Sequence, residues 1–326
     1  MTALLDIRDL SVSFDTYQGR ARVLDRASLT VNQGEIMGLV GESGCGKSVL
    51  SRSVLRIIPT PPGSIDGGQI LFEGRDLLRL PQGEMRRLRG ERISMIFQEP
   101  MNSLNPVFTV GNQMREVVRA HRSASRAEAT DACLEMLSAV RLPDPRSVLR
   151  AFPHELSGGM RQRVMIAMAL ICNPSLLLAD EPTTALDVTV QGQILAILNE
   201  LAQRHGLSIL FVTHDMGVVA QLCHRVAVMY AGQVVEIADV GSIFARPAHP
   251  YTQGLIASIP GRASSDELYA IPGSVPSPID PPPGCRFRPR CPHAKSGGCS
   301  DVAPEMVRVA PDHSVACHLF TSGGLP

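Results

Sequence analysis

A short apolar run from Glu35 to Val40 leads directly into Gly41-Glu42-Ser43-Gly44-Cys45-Gly46-Lys47-Ser48, followed by Val49. The run reads as a buried strand, and the octapeptide fits the phosphate-loop pattern in full. Its glycines let backbone N–H groups converge on phosphate oxygens, and the positive end of the next helix favours the same anion. Lys47 is then placed to reach β- and γ-phosphates, and the Ser48 hydroxyl to ligate Mg²⁺. A strand, a glycine-rich loop and a helix in that order restrict the chain to an α/β nucleotide-binding architecture.

The rest of the pattern agrees. Ala3 to Phe14 alternates as a strand, a turn follows, and Val23 to Val31 reads as a second strand. Further strands are expected at Leu71-Phe72, Ile93 to Phe97, Leu176 to Leu178, Ser208 to Thr213 and Val226 to Tyr230. Helices are expected near Val190 to Arg204 and Met216 to Cys223, and the stretch from Asn105 to about Asn173 is helical in composition. Alternating strands and helices argue for a mainly parallel sheet covered by helices, interrupted by a helical insert. The expected division is an α/β core over residues 1–100 and 171–240, a helical subdomain over 101–170, and an extension over 241–326.

At 326 residues the chain is long enough to bury a real core. Lys and Arg together number 31, as do Asp and Glu, so no global field draws it to nucleic acid. The basic run from Met85 to Arg92 is broken by Glu91 and has no interleaved aromatics, which fits a solvated helix face. No apolar run approaches the roughly 18 residues that cross a bilayer, and Asp6, Arg8 and Asp9 break the N-terminal apolar start. A cytosolic chain that meets membranes only through partners is expected.

The run from Ser175 to Ala179 ends in two adjacent carboxylates, Asp180 and Glu181. Asp180 suits a second Mg²⁺ contact, and Glu181 is placed to polarise an attacking water. A second Ser-Gly-Gly turn occurs at Leu156-Ser157-Gly158-Gly159-Met160, opening a helix from Arg161 toward Cys172. Exposed N–H groups at Gly158 and Gly159, with the Ser157 hydroxyl, make a second helix-terminus anion site.

With these motifs in order over residues 3–240, the chain resembles the nucleotide-binding subunits of ATP-binding-cassette (ABC) transporters. The resemblance implies a P-loop NTPase core of ABC type with a helical insert and a Pro- and Cys-rich C-terminal extension. It makes Gln98 the loop glutamine that senses Mg²⁺ and the γ-phosphate, Asp187 part of the segment linking two sites of a dimer, and His214 the switch histidine at the γ-phosphate. Phe14 is the first choice to stack on adenine, with Tyr17 as runner-up. It also implies that Ser157, Gly158 and Gly159 serve the ATP of a partner subunit. Met160 replaces the usual Gln, and the backbone donors and Ser157 are unaffected by that change.

Phe97 to Pro106 and Ala248-His249-Pro250-Tyr251-Thr252 are similar to segments of dipeptide, oligopeptide and nickel importers. The implied partners are a homologous ATPase subunit, two membrane permeases and an extracytoplasmic binding protein, with the chain on the cytoplasmic face of the inner membrane. The implied activity is ATP hydrolysis that powers import of di- or oligopeptides. A nickel or other small-solute importer, an exporter ATPase and a non-transport ABC ATPase acting on nucleic acid stand as alternatives.

Fourteen of the 25 prolines and four of the eight cysteines lie beyond residue 240. So many prolines argue against regular helices or sheet there, and something else is expected to order the extension. Cys285, Cys291, Cys299 and Cys317 are metal ligands rather than disulfides if the compartment is reducing. Peptide-importer ATPases with this pattern can carry a [4Fe–4S] cluster, and four thiolates suit it. Zinc, with His293, His313 or His318 substituting, and no metal at all remain open.

Overall fold

Two long strands, β1 (Ala3–Thr16) and β2 (Gly19–Asn32), form the first hairpin of the chain. The computed structural model describes residues 2–98, 103–184, 187–259, 269–295 and 298–321. They form two compact units, one of Met1–Arg79 with Val212–Pro326 and the other of Leu80–Phe211.

In the first unit β1 pairs antiparallel with β2 on one side and with β4 (Gly63–Phe72) on the other, and the short β5 (Arg75–Asp76) completes the order β2-β1-β4-β5. Along β1, Leu5 and Ile7 are buried and, past a register shift, so are Leu10 and Val12. Next comes β3 (Ile36–Val40), buried at every position, which the unbroken apolar run demands of a strand covered on both faces. It feeds the glycine-rich loop and α1 (Lys47–Val54).

β3 runs parallel to β9 (Arg225–Tyr230), in register from Met37 opposite Arg225 to Val40 opposite Val228. β9 turns into β10 (Gln233–Asp239), and the helices α8 (Met216–Leu222), α9 (Val240–Ala245) and α10 (Pro250–Ala257) belong to the same unit. The extension adds a four-residue helix, α11 (Gly298–Asp301), and the strands β11 (Val307–Ala310) and β12 (His313–Val315), with β12 antiparallel to the edge of β10.

The second unit holds α2 (Gln82–Glu91), β6 (Ile93–Ile96), α3 (Val110–His121), α4 (Arg126–Ala139), α5 (Pro145–Arg150), α6 (Gly158–Leu170), β7 (Leu176–Asp180) and α7 (Val188–His205). β8 (Ser208–Thr213) neighbours β7 and runs across the unit boundary, while β6 and β7 pair in parallel. The helical stretch is cut into separate helices by its caps. Thr109 accepts from Asn112 N, Ser125 and Glu128 form a reciprocal capping box, and the Asp144 side chain accepts from Ser147 N.

Two expectations change. The strands are mixed rather than mainly parallel, because β1 is antiparallel to both β2 and β4, and β9 is antiparallel to β10. The extension is also more regular than its prolines imply. Its strands use short proline-free stretches, and its side chains enter the core: Phe287 packs with Tyr230, Tyr251, Val228 and Val235 in one buried cluster. The Tyr230 and Phe287 rings meet edge-on with centroids 5.1 Å apart, and those of Tyr251 and Phe287 are 5.5 Å apart. Each such buried side chain is worth roughly 1.5–3 kcal/mol, enough to order a loop-rich segment by packing. Among the described residues no helix is long and apolar enough to cross a membrane.

Candidate nucleotide-binding site

The first unit carries the phosphate loop. It closes through a Cys45 N to Glu42 O hydrogen bond of 3.3 Å, and Gly46, at φ +106°, turns the chain into α1. A Cβ at Gly46 would stand 2.8 Å from Leu24 Cδ2, and one at Gly41 would run into the Met229 carbonyl, so both positions need glycine for space. Ser43 and Gly44 form the exposed crown of the loop, whereas Cys45 and Lys47 are buried. Burial pushes the Cys45 thiol up, so it stays protonated and serves as packing.

Lys47 Nζ donates to Gly41 O at 2.7 Å and Glu42 O at 3.0 Å. The ammonium is thus stored in the hollow of its own loop, where a phosphate oxygen would find it. Ser48 and Val49 follow in the first turn of α1, both half-buried.

His214 is in the same unit, exposed on the turn between β8 and α8. Its neighbours fix that turn: Thr213 Oγ1 accepts from Asp215 N at 3.0 Å, and Asp215 Oδ1 caps α8 by accepting from Gly217 N at 2.7 Å.

Of the two aromatics considered for adenine, Phe14 is half-buried in β1 opposite Gly63, where a Cβ would come within 2.9 Å of its ring. Tyr17 is fully exposed at the tip of the β1–β2 hairpin.

The second unit carries the carboxylates. Asp180 ends β7 and is wholly buried. Glu181 follows in the left-handed region at φ +47°, a conformation that ordinary residues adopt at a cost. Gln98 Nε2 and Thr184 Oγ1 both donate to Glu181 Oε2, at 3.1 and 3.0 Å. The turn behind it is held by Gln162 of α6, whose buried side-chain amide donates to the Pro182 carbonyl, a role that no motif marks.

At the start of α6 the Ser157 side chain caps the helix by accepting from Met160 N at 3.3 Å. Ser157 and Gly158 are exposed, and no atom lies within 4 Å of where a Cβ on Gly158 would sit. Asp187 caps α7, accepting from Val190 N at 2.9 Å. Its neighbours Ala185 and Leu186 lie outside the described residues, as do 99–102 of the Phe97–Pro106 segment.

The four cysteines of the extension are electrostatic neighbours. Burial pushes the Cys317 thiol up to about 11, and Cys285, Cys291 and Cys299 add to the rise. Cys285 is raised by burial first and then by Cys299 and Cys291, and its N–H donates to Cys299 O at 3.0 Å. Among the described residues, however, no three His, Cys, Asp or Glu side chains are grouped tightly enough to hold one metal ion. Two of the three histidines considered for zinc have other partners: His313 Nε2 lies 2.6 Å from Glu236 Oε1, and His318 Nε2 lies 2.8 Å from Val302 O.

Comparison with known proteins places the sequence as a whole. Residues 24–184 match a family described as ABC transporter, and residues 235–299 match the oligopeptide/dipeptide transporter C-terminal region. The chain is 52% identical to the probable peptide ABC transporter ATP-binding protein y4tR of Sinorhizobium fredii, over 96% of this chain and 94% of that one. It is 49% identical to the oligopeptide transport ATP-binding protein OppD of Bacillus subtilis, over 98% of this chain and 90% of the relative. Among solved structures it resembles the dimeric bacterial ABC transporter cassette MJ0796, with TM-score 0.65 and 26% identity over 72% of this chain and 98% of that one.

Proposed function

This chain belongs to the ABC transporter family, and on that premise we propose that it hydrolyses ATP to drive import of di- or oligopeptides through a pair of membrane permeases. One observation carries the peptide reading. Similarity to peptide-transport ATP-binding proteins runs through nearly the whole chain and includes the oligopeptide/dipeptide C-terminal region.

In this reading the loop N–H groups of Gly41 to Ser48 and the Lys47 ammonium take the β- and γ-phosphates. Ser48, Gln98 and Asp180 would hold Mg²⁺, which would neutralise charge on the phosphates. Glu181, oriented by Gln98 and Thr184, accepts a proton from the water that attacks the γ-phosphorus as the bond to the bridging β-phosphate oxygen breaks and ADP leaves, and His214 steadies the γ-phosphate. Phe14 or Tyr17 stacks on adenine. The exposure of Tyr17 at its hairpin tip supports the second choice.

Ser157, Gly158 and Gly159 cap the triphosphate of a homologous partner subunit, and Asp187 links the two sites. The dimeric state of the related MJ0796 cassette supports this arrangement. The subunit would work at the cytoplasmic face of the inner membrane, fed by an extracytoplasmic binding protein.

The extension is proposed to hold a [4Fe–4S] cluster on Cys285, Cys291, Cys299 and Cys317. Each thiolate of such a cluster binds its own iron, so the sulfurs stand farther apart than around one ion. What supports the reading is that the Cys317 thiol lies within electrostatic reach of the other three. Iron and acid-labile sulfide in anaerobically purified protein test this; stoichiometric zinc, or neither metal, rejects it.

The function is tested in vesicles holding the partner ATPase, both permeases and the binding protein. Peptide-loaded binding protein is expected to stimulate phosphate release several-fold. Stimulation by nickel or DNA instead would overturn the reading.

A further inference from the structure

The phosphate loop is braced from a part of the chain that no nucleotide motif marks. Glu42, its second residue, is held at both its backbone and its side chain. Its N–H donates to Tyr251 Oη at 2.9 Å, and its carboxylate accepts Arg290 Nη1 at 2.7 Å and Nη2 at 3.0 Å.

The Arg290 side chain is only 5% exposed, and each of its nitrogens has an acceptor. Nε donates to Pro272 O at 2.8 Å, Nη1 also to Tyr230 Oη at 3.4 Å, and Nη2 also to Ile271 O at 3.2 Å. The guanidinium thus uses its planar fork fully, something an ammonium does not reproduce.

A second tie comes from the same segment. Arg286 Nη2 pairs with Asp25 at 2.7 Å, and its Nη1 donates to the Ala231 carbonyl. The next residue, Gly232, donates from its N–H to Cys45 O at 2.9 Å. The stretch from Cys285 to Cys291 therefore touches the loop directly at Glu42 and, through the β9–β10 turn, at Cys45.

A carboxylate in a phosphate-binding loop is an electrostatic liability, because it repels the polyanion the loop must hold. We propose that Arg290 is a positioning residue for nucleotide binding: its fork neutralises Glu42 and turns that carboxylate away from the incoming triphosphate, with Arg286 as the second brace. The proposal rests on the reading that Gly41–Ser48 binds ATP. It assigns the extension a direct part in the affinity of the site.

The test is binding of mant-ATP with Mg²⁺ to the full chain, by fluorescence, with thermal melts of the nucleotide-free proteins alongside. Arg290→Gln is expected to raise Kd about tenfold, with a defect that shrinks as salt screens the exposed Glu42 charge. Arg290→Lys falls between wild type and Arg290→Gln. Glu42→Gln shifts Kd less than Arg290→Gln, and the double variant Glu42→Gln/Arg290→Gln regains most of the lost affinity. A brace that acted only on folding would lower the melting temperature and leave the double variant at least as weak as Arg290→Gln.

An unchanged Kd in Arg290→Gln, or no recovery in the double variant, overturns the inference. Should Arg290→Gln not fold, Arg290→Lys and the double variant decide the question by the same criterion. Lys47→Ala is the separate control, expected to weaken binding at least tenfold. Normal affinity there would remove the phosphate-loop reading itself, while its loss beside a normal Arg290→Gln removes only the role of Arg290.

Discussion

The Gln98 side-chain amide donates to Glu181 Oε2 at 3.1 Å, and the Thr184 hydroxyl reaches the same oxygen at 3.0 Å. Two donors on one carboxylate oxygen set the plane of a residue whose backbone already sits in the left-handed region at φ +47°. Strain of this kind persists where the surroundings over-determine it, as they do here.

Glu181→Gln keeps the side-chain length and an acceptor oxygen but removes the base. Phosphate release is expected to fall at least 100-fold, while mant-ATP affinity stays within about threefold of wild type, since general bases typically contribute ~10²–10⁴-fold. Single-turnover hydrolysis alongside equilibrium binding checks this. Turnover near wild type would take Glu181 out of its role.

The two glycines that open α6 make different demands. A Cβ at Gly159 would stand 3.0 Å from Val190 Cγ1, whereas nothing lies within 4 Å of one at Gly158. Gly159→Ala is expected to lower the stability of the isolated chain by roughly 1 kcal/mol, the lower end of the cost of overpacking. Gly158→Ala is expected to leave that stability intact and to weaken ATP-driven pairing with the partner subunit. Urea melts separate the first effect, and size-exclusion chromatography with ATP and the Glu181→Gln background reads the second.

Burial holds His249 neutral, down to a pKa of about 3. Its Nδ1 accepts from Tyr251 N at 3.0 Å, while its backbone N–H donates to Glu236 Oε2 at 2.8 Å, so a proton on Nδ1 would break the first of these contacts. The folded value lies below the unfolded one of about 6.5, so the unfolded chain binds the extra proton. Stability is therefore fully present above about pH 6.5 and falls as pH drops toward 3, by at most about 1.4 kcal/mol per unit. His249→Asn, which keeps a side-chain acceptor, is expected to show a shallower fall than wild type in urea melts at pH 7, 6 and 5. Groups common to both proteins cancel in that comparison, and parallel curves would refute it.

The parts of the site that were legible in the sequence are those in which chemistry is local. Gly41 to Ser48, Ser157 to Gly159, and Asp180 with Glu181 each announce themselves within a few residues, because one turn or strand end has to present several groups together. The buried β3 and β7 were legible for a related reason, since strands covered on both faces are apolar throughout. Pairings between distant residues were not. Nothing near Glu42 signals Arg290, and nothing near Pro182 signals Gln162. The order of the extension was hidden as well: its prolines dominate the composition, while Phe287, Arg286, Arg290 and the Glu236–His313 pair, which fasten it, are scattered singly. Phe14 and Tyr17 both lie near the β1–β2 turn, and their exposure differs: Phe14 is half-buried and Tyr17 fully exposed.

The tie between Glu42 and Arg290 joins residues 248 positions apart, and this imposes an order on biogenesis. During translation the glycine-rich turn leaves the ribosome early and waits, without its clamp, for nearly the whole of the remaining polypeptide. A nascent chain halted before Cys285 would display every nucleotide motif and yet lack the clasp that shields the second residue of the first one. On the proposed role of Arg290, full affinity for nucleotide thus comes only once that residue has been made, and termination before it leaves a cassette complete in its signatures but weaker in its grip.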